Sequence, residues 1–361
     1  MTSPSYSPPR KYFPELDGVR AVAAIMVILF HLSQLGVRIP GPASFGETGV
    51  DLFFVLSGFL ITGILLKARE RDWEEVRTFY IRRSLRIFPL YYAYLIVASA
   101  LGASIAGWHW VYLQNVPIAF GAPMGNTGHF WSLAVEEQFY FVWPFVVMFL
   151  PRRWLQTALW SMLAVTFLCR VALVEFTHIE VYYLTITRLD GLAAGAILAL
   201  HHSRGTLARH RNKMMVLAVI SFVLVGWEGL RFRGAALPFV QITKFSLFAC
   251  FYASFVGLLL TSKRNALTTV FASRPMRWLG RISYGLYVFH PQMLRLCFGY
   301  LHAYSALVRA CAGLSATLAI TSLSWYAFER PLLRLKDRIA PEKGSPPGVR
   351  DEVGEAVPQS R

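Results

Sequence analysis

His31 stands inside an apolar stretch, and Arg20 precedes it by eleven residues. At about 100° per residue the two side chains fall within about 20° of one helical face, and Asp17 within about 40° of it. The rise between Arg20 and His31 is roughly 16 Å, about half of a hydrocarbon core of roughly 30 Å. One helix therefore carries a cation at its edge and an imidazole at mid-depth. Imidazole is the side chain that exchanges protons near neutral pH, so His31 is the first candidate for a general base. A histidine that merely packs against a neighbouring helix is the competing reading, and Arg20 and Asp17 on the same face favour function.

Two other concentrations of reactive side chains occur. Arg82, Arg83 and Arg86 lie within one helical turn of one another. A planar fork of donors suits phosphates, although anchoring at a membrane surface would also explain such a triplet. In Trp131-Ser132-Leu133-Ala134-Val135-Glu136-Glu137-Gln138-Phe139-Tyr140 two adjacent carboxylates interrupt an apolar run. Ser132, Glu136 and Tyr140, spaced by four, share a flank and read as a polar pocket wall. Pro144 frees the carbonyl of Tyr140. Ser57-Gly58 reads as a close helix contact, His290-Pro291 as a proline kink, His129 as a solvated helix end, and Glu329-Arg330-Pro331 as the cap of the last helix.

The elements that must position these groups follow from composition. Of 361 residues 55% are hydrophobic and only 16% charged, with a mean hydropathy of +0.45. Long apolar runs recur, so the chain is all-α, a polytopic membrane bundle of about ten transmembrane helices. These are expected near Leu16–Leu35, Gly49–Leu66, Ile87–Ile105, Phe130–Leu150, Trp154–Val174, Tyr182–Leu200, Met214–Trp227, Phe239–Leu260, Gly280–Leu301 and Ser305–Phe328. Residues 1–13 form a loose tail, 14–338 the membrane domain and 339–361 a disordered tail, with no room for a second soluble domain. The first helix has signal-peptide features but no cleavage site after Leu35, and is expected to be retained. The sixth span brings Arg188 and Asp190 into the membrane, where the two are expected to neutralise each other. Cys169, Cys250, Cys297 and Cys311 have no metal or redox spacing.

The net charge of +16 does not indicate nucleic acid, because the basic residues alternate with the spans. Loops after the second, sixth and eighth helices are basic, whereas residues 106–129 contain no Lys or Arg. The positive-inside rule then puts both termini in the cytoplasm.

Together these segments resemble the membrane acyltransferase-3 family, bacterial O-acyltransferases of surface polysaccharides, lipids and antibiotics. The resemblance rests on six ordered stretches: Phe13 to Arg20 with His31; Gly49 to Phe59; Phe79 to Ile87; Trp131 to Tyr140; Ile282 to Tyr287 with His290-Pro291; and Glu329-Arg330-Pro331. It implies acyl-CoA as cytosolic donor substrate, no cofactor or metal, and a hydroxylated, carbohydrate-like acceptor presented from outside the bilayer of the inner membrane. It also implies that His31 and Arg20 are needed for activity; on the residues alone, Asp17, Glu136 or Glu137 is expected to orient the imidazole. Arg82, Arg83 and Arg86, with Ser57, Trp131 and Tyr140, form the expected substrate-binding set. Some members carry an extra extracytoplasmic hydrolase-like domain, and none is expected within these residues. The rival reading is a proton-coupled transporter using His31, Glu136 and Glu137 as a relay.

The loop charges set up a topology test. A cysteine placed at Arg77 should resist a membrane-impermeant label added from outside, and one at Asn126 should react. The reverse pattern would invert the orientation and remove the arginine triplet from any CoA pool.

Overall fold

The computed structural model describes residues 12–39, 41–69, 73–123, 125–176, 179–232 and 237–340. Among the described residues the regular elements are helical and no strand forms. The long helices are α1 (Pro14–Gln34), α2 (Gly49–Ala68), α3 (Trp73–Ala100), α4 (Trp131–Phe149), α5 (Arg152–Phe176), α6 (Leu189–Ser203), α7 (Arg211–Phe232), α8 (Pro238–Thr261), α9 (Ser283–Tyr300) and α10 (Ala306–Ser324). Short helices at Asn115–Ala119, Ala266–Phe271, Arg274–Arg281 and Arg330–Ile339 lie between or after them.

Six stretches are long and apolar enough to cross a membrane: Pro14–Gln34, Phe45–Ala68, Arg152–Val174, Leu207–Gly229, Pro238–Thr261 and Ala306–Leu335. The chain is thus an all-α, multi-pass membrane protein. The expected spans over α3, α4, α6 and α9 do not join that group, for a physical reason. Helix α6 has only 15 residues. Helices α3, α4 and α9 carry Arg82, Arg83 and Arg86; Glu136, Glu137 and Gln138; and His290, Gln292 and Arg295. The helices with the least membrane-like composition are the ones that bring polar groups inside.

Helices α5 and α7 show the opposite pattern. Trp160, Val165 and Leu168 on α5, and Val219, Phe222 and Val223 on α7, are exposed apolar side chains, as a face turned to lipid tails requires. Helix α2 is the most enclosed, with 72% of its apolar window buried. It meets α6 at backbone distance. A Cβ on Gly58 would come 2.0 Å from the Leu192 carbonyl oxygen, and one on Gly195 2.0 Å from that of Val55. Small residues on facing helices permit this approach, which maximises dispersion contact where no hydrophobic effect acts between helices.

Buried ion pairs tie α2, α5, α6 and α8 together. Arg188 and Asp190 do not neutralise each other as expected. Arg188 Nη2 lies 2.7 Å from Asp51 of α2, and Asp190 accepts from Arg170 Nη1 of α5 at 2.8 Å. Both guanidiniums are fully buried. Arg170 also donates to the carbonyls of Thr187 and Ile242, and Arg188 lies over the Phe245 ring at 4.0 Å. Such pairs are tolerable inside because their donors are met by several acceptors.

The last span does not end at Glu329. Helix α10 passes through a π turn at Trp325–Glu329 and continues over Arg330–Ile339. Glu329 is buried and accepts from Ser324 Oγ at 3.0 Å, so it is an interior acceptor rather than a cap.

The α2–α6 contact makes a sharp prediction. Gly58→Leu should abolish a monodisperse species in detergent, because the backbone at Leu192 has nowhere to move. Gly63→Leu on the same helix, where nothing lies within 4 Å of an added Cβ, should elute like the wild type. Equal behaviour of the two variants would show that the contact is not limiting.

Candidate active site

A partly open cavity of about 100 Å³ lies where α1, α2, α3, α4 and α9 converge. Its polar wall includes Arg20, Ser57, Arg83, Arg86, Ser132, Glu136, Ser283, Tyr284 and Tyr287. Pockets that enclose drug-sized ligands run to roughly 300–1,000 Å³. The enclosed part of this cavity has room for the reactive end of a substrate.

Helix spacing delivers the wall. Ser57 Oγ donates to Glu136 Oε1 at 2.8 Å, bridging α2 and α4. Tyr140, one turn beyond Glu136, donates to its Oε2 at 3.2 Å. Arg83 faces both carboxylates, its Nη2 3.8 Å from Glu136 Oε2 and 3.6 Å from Glu137 Oε1. The same guanidinium stacks over the Tyr140 ring, 3.9 Å from its centroid. Two carboxylates and one guanidinium thus share a buried site, with a hydroxyl on each flank.

The arginine triplet is split by the fold. Arg82 points away from the cavity and donates to the Ala340 carbonyl at 2.8 Å. Arg83 is taken up by Glu136 and Glu137. Arg86 lines the cavity with Arg20 of α1. Arg20 is steadied by Asp17 at 3.4 Å, which also accepts from the Tyr12 hydroxyl. Glu137, Tyr140 and Trp131 stand behind the wall and are not among its lining residues. Trp131 is buried, with the Arg188 guanidinium 5.3 Å from its ring centroid. Its place is in the ion-pair layer beneath the cavity.

His31 also lies off the lining, against His290 of α9. Its Nδ1 is 3.0 Å from the Val27 carbonyl oxygen, one turn back. A carbonyl cannot donate, so Nδ1 carries the hydrogen and neutral His31 keeps its lone pair on Nε2. The backbone sets the tautomer of this imidazole, a task the sequence had offered to Asp17, Glu136 or Glu137.

Two histidines join His31, one of them against expectation. His290 is fully buried, and its ring meets that of His31 edge to face, centroids 4.9 Å apart. His129, expected in water, is also buried, 5.9 Å from His290. Its carbonyl accepts from the Tyr287 hydroxyl, which also pairs with Ser132 Oγ at 2.9 Å. Tyr287 lines the cavity one turn before His290, so it separates the cavity from the histidine cluster. The signal for His290 was its spacing after Tyr287, hidden by the adjoining Pro291.

A helical membrane bundle that lines a cavity with Arg20, Arg83, Arg86 and Glu136, and sets a histidine cluster beyond its Tyr287 wall, has the outline of a membrane group-transfer enzyme. The sequence bears out that class: the acyltransferase-domain family model matches residues 13–326, and the chain belongs to the membrane acyltransferase-3 family. It is 30% identical to the peptidoglycan O-acetyltransferase OatA of Listeria monocytogenes, over 90% of this chain and 56% of that protein. It is 32% identical to the putative peptidoglycan O-acetyltransferase YrhL of Bacillus subtilis, over 78% of this chain and 48% of that one. With the O-acetyltransferase OatA of Staphylococcus aureus it shares 29% identity, over 79% and 51% respectively. The chain spans about half the length of these curated relatives. No solved structure matches it.

The separate environments of the three arginines predict three outcomes. Arg83→Ala strands two buried carboxylates and should cost roughly 3–5 kcal/mol, the usual loss when one partner of a buried pair is removed. Thermal unfolding in detergent reads this as a lower Tm. Arg86→Lys should unfold as the wild type does but weaken the binding of a phosphate-bearing ligand at the cavity about tenfold, having lost the planar fork. Arg82→Ala should change neither value much. A normal Tm for Arg83→Ala would remove the triad from the account.

Proposed function

We propose that this chain is an integral-membrane O-acetyltransferase that moves an acetyl group from cytosolic acyl-CoA to a hydroxyl of a sugar-containing acceptor such as a cell-wall glycan. The observation that carries the reading is the fixed tautomer of His31, which keeps the Nε2 lone pair for a proton, on a helix that also supplies Arg20 to the cavity. The named relatives supply the acetyl group and the glycan class.

The chemistry follows from the groups present. The acceptor hydroxyl gives its proton to His31 Nε2 as its oxygen attacks the thioester carbon. The carbon–sulfur bond breaks, the thiolate leaves with its electron pair, and His31 returns the proton to the sulfur. The products are the ester and CoA thiol. Arg20 and Arg86 line the cavity on the donor's side of Tyr287, where their charge favours the anionic donor. The polyanionic part of the donor stays outside the cavity on the side of Arg86, and both termini lie on that same cytoplasmic face. The Arg83 triad holds α3 against α4 so that Arg86 and Ser132 keep their places.

The test uses the full chain in proteoliposomes with labelled acetyl-CoA on one side and a soluble glycan on the other. His31→Ala should insert normally and lose transfer by roughly 10²–10⁴-fold, the range of a general base. Arg20→Ala should also be severe and Arg20→Lys intermediate. Full transfer by His31→Ala would remove the imidazole from the mechanism, and uptake of the glycan without acetyl-CoA would favour a transporter.

A further inference from the structure

His290 repeats on α9 what His31 does on α1. Its Nδ1 lies 2.9 Å from the Leu286 carbonyl oxygen, one turn back, so Nδ1 carries the hydrogen and the lone pair is on Nε2. That Nε2 is wholly buried, and no group among the described residues reaches it. A buried acceptor left without a donor is unfavourable, and a native interior rarely keeps one that nothing uses. The ring stands edge to face with His31 at 4.9 Å, so a ligand that touches one imidazole is within reach of the other.

Neither neutral imidazole can donate from Nε2, so what fits beside them brings its own donors. An anion or a carbonyl does not. A polyol does, offering one hydroxyl to His31 and another to His290. Two to five residues further along α9, Gln292 and Arg295 line a shallow groove with Asn126 and Tyr300. Arg295 is held there by the Asn126 side chain at 2.8 Å and by its own helix at the Pro291 carbonyl, 3.1 Å away. This groove lies on α9 just beyond His290, on the side of the histidines away from the cavity that Arg86 lines.

Resting on the acetyl-transfer reading, we infer that His290 Nε2 is an acceptor-binding group, receiving a second hydroxyl of the sugar whose reacting hydroxyl meets His31. The pair would select acceptors with two hydroxyls in reach of each other over simple alcohols.

The probe is a disaccharide of N-acetylglucosamine and N-acetylmuramic acid, with a set of analogues each lacking one hydroxyl other than the acetylated one. Steady-state transfer is measured on the full chain in proteoliposomes. In the wild type one analogue should raise the acceptor KM about tenfold, the value of one lost buried hydrogen bond. His290→Phe, which keeps the ring and loses the acceptor atom, should raise the KM of the parent sugar by a similar factor while the acyl-CoA KM moves less than twofold. For His290→Phe the sensitive analogue and the parent should then be equal. His290→Gln, with a side-chain oxygen, should recover part of the affinity, and it replaces His290→Phe in the comparison should the latter fail to insert. Wild-type KM values in the variant, or an analogue penalty that persists undiminished in it, would overturn the inference while leaving acetyl transfer intact. Absence of any acetyl-CoA-dependent transfer in the wild type would overturn both.

Discussion

The contact of Arg83 with Glu136 and Glu137 is the interaction on which the site depends. Three ionisable side chains share a buried space between α3 and α4. Removed from water, none is stable alone, and the Tyr140 ring and the Ser57 hydroxyl complete the set. Because Arg83 is committed there, its neighbours on α3 acquire separate duties. One turn of helix carries Arg82 out to the carboxyl-terminal segment and Arg86 into the cavity. A run that looks like one basic patch becomes an exterior contact, a structural cation and a cavity cation.

The same physics acts on the opposite flank. Arg170–Asp190 and Arg188–Asp51 cross-link α5, α6 and α2 through fully buried guanidiniums. They accompany a close backbone approach, at Gly58 and Gly195. Breaking one partner of such a pair leaves an uncompensated charge, so these contacts favour one arrangement of helices over near alternatives. Apolar faces of α5 and α7 are left to lipid, and the polar interior is kept for α1, α3, α4 and α9.

At the histidines the backbone does the work usually given to a carboxylate. His31 and His290 each donate from Nδ1 to the carbonyl one turn earlier. This leaves a lone pair on Nε2 of each of two rings in contact, with no charged group needed to set them. A glutamate in that position would bring a negative charge to where the attacking oxygen becomes negative. A carbonyl orients the ring without that penalty.

Much of this was legible in the sequence. Apolar runs of span length gave the helical membrane class, and the eleven-residue spacing put Arg20 and His31 on one helix, because helical periodicity is a local property. The Ser57-Gly58 pair marked a close contact for the same reason: only a small residue tolerates one. Partners were another matter. Arg188 and Asp190 are neighbours in the chain and pair with Asp51 and Arg170 instead. The three arginines diverge, His129 is buried, and Glu329 turns inward. Sequence fixes which side chains share a helical face. Which faces meet is settled by packing and by the demand that each buried charge and donor find a mate, and those mates come from helices distant in the chain. Only the tertiary structure could bring His290 to His31, across more than two hundred residues, because nothing local to either histidine records the other.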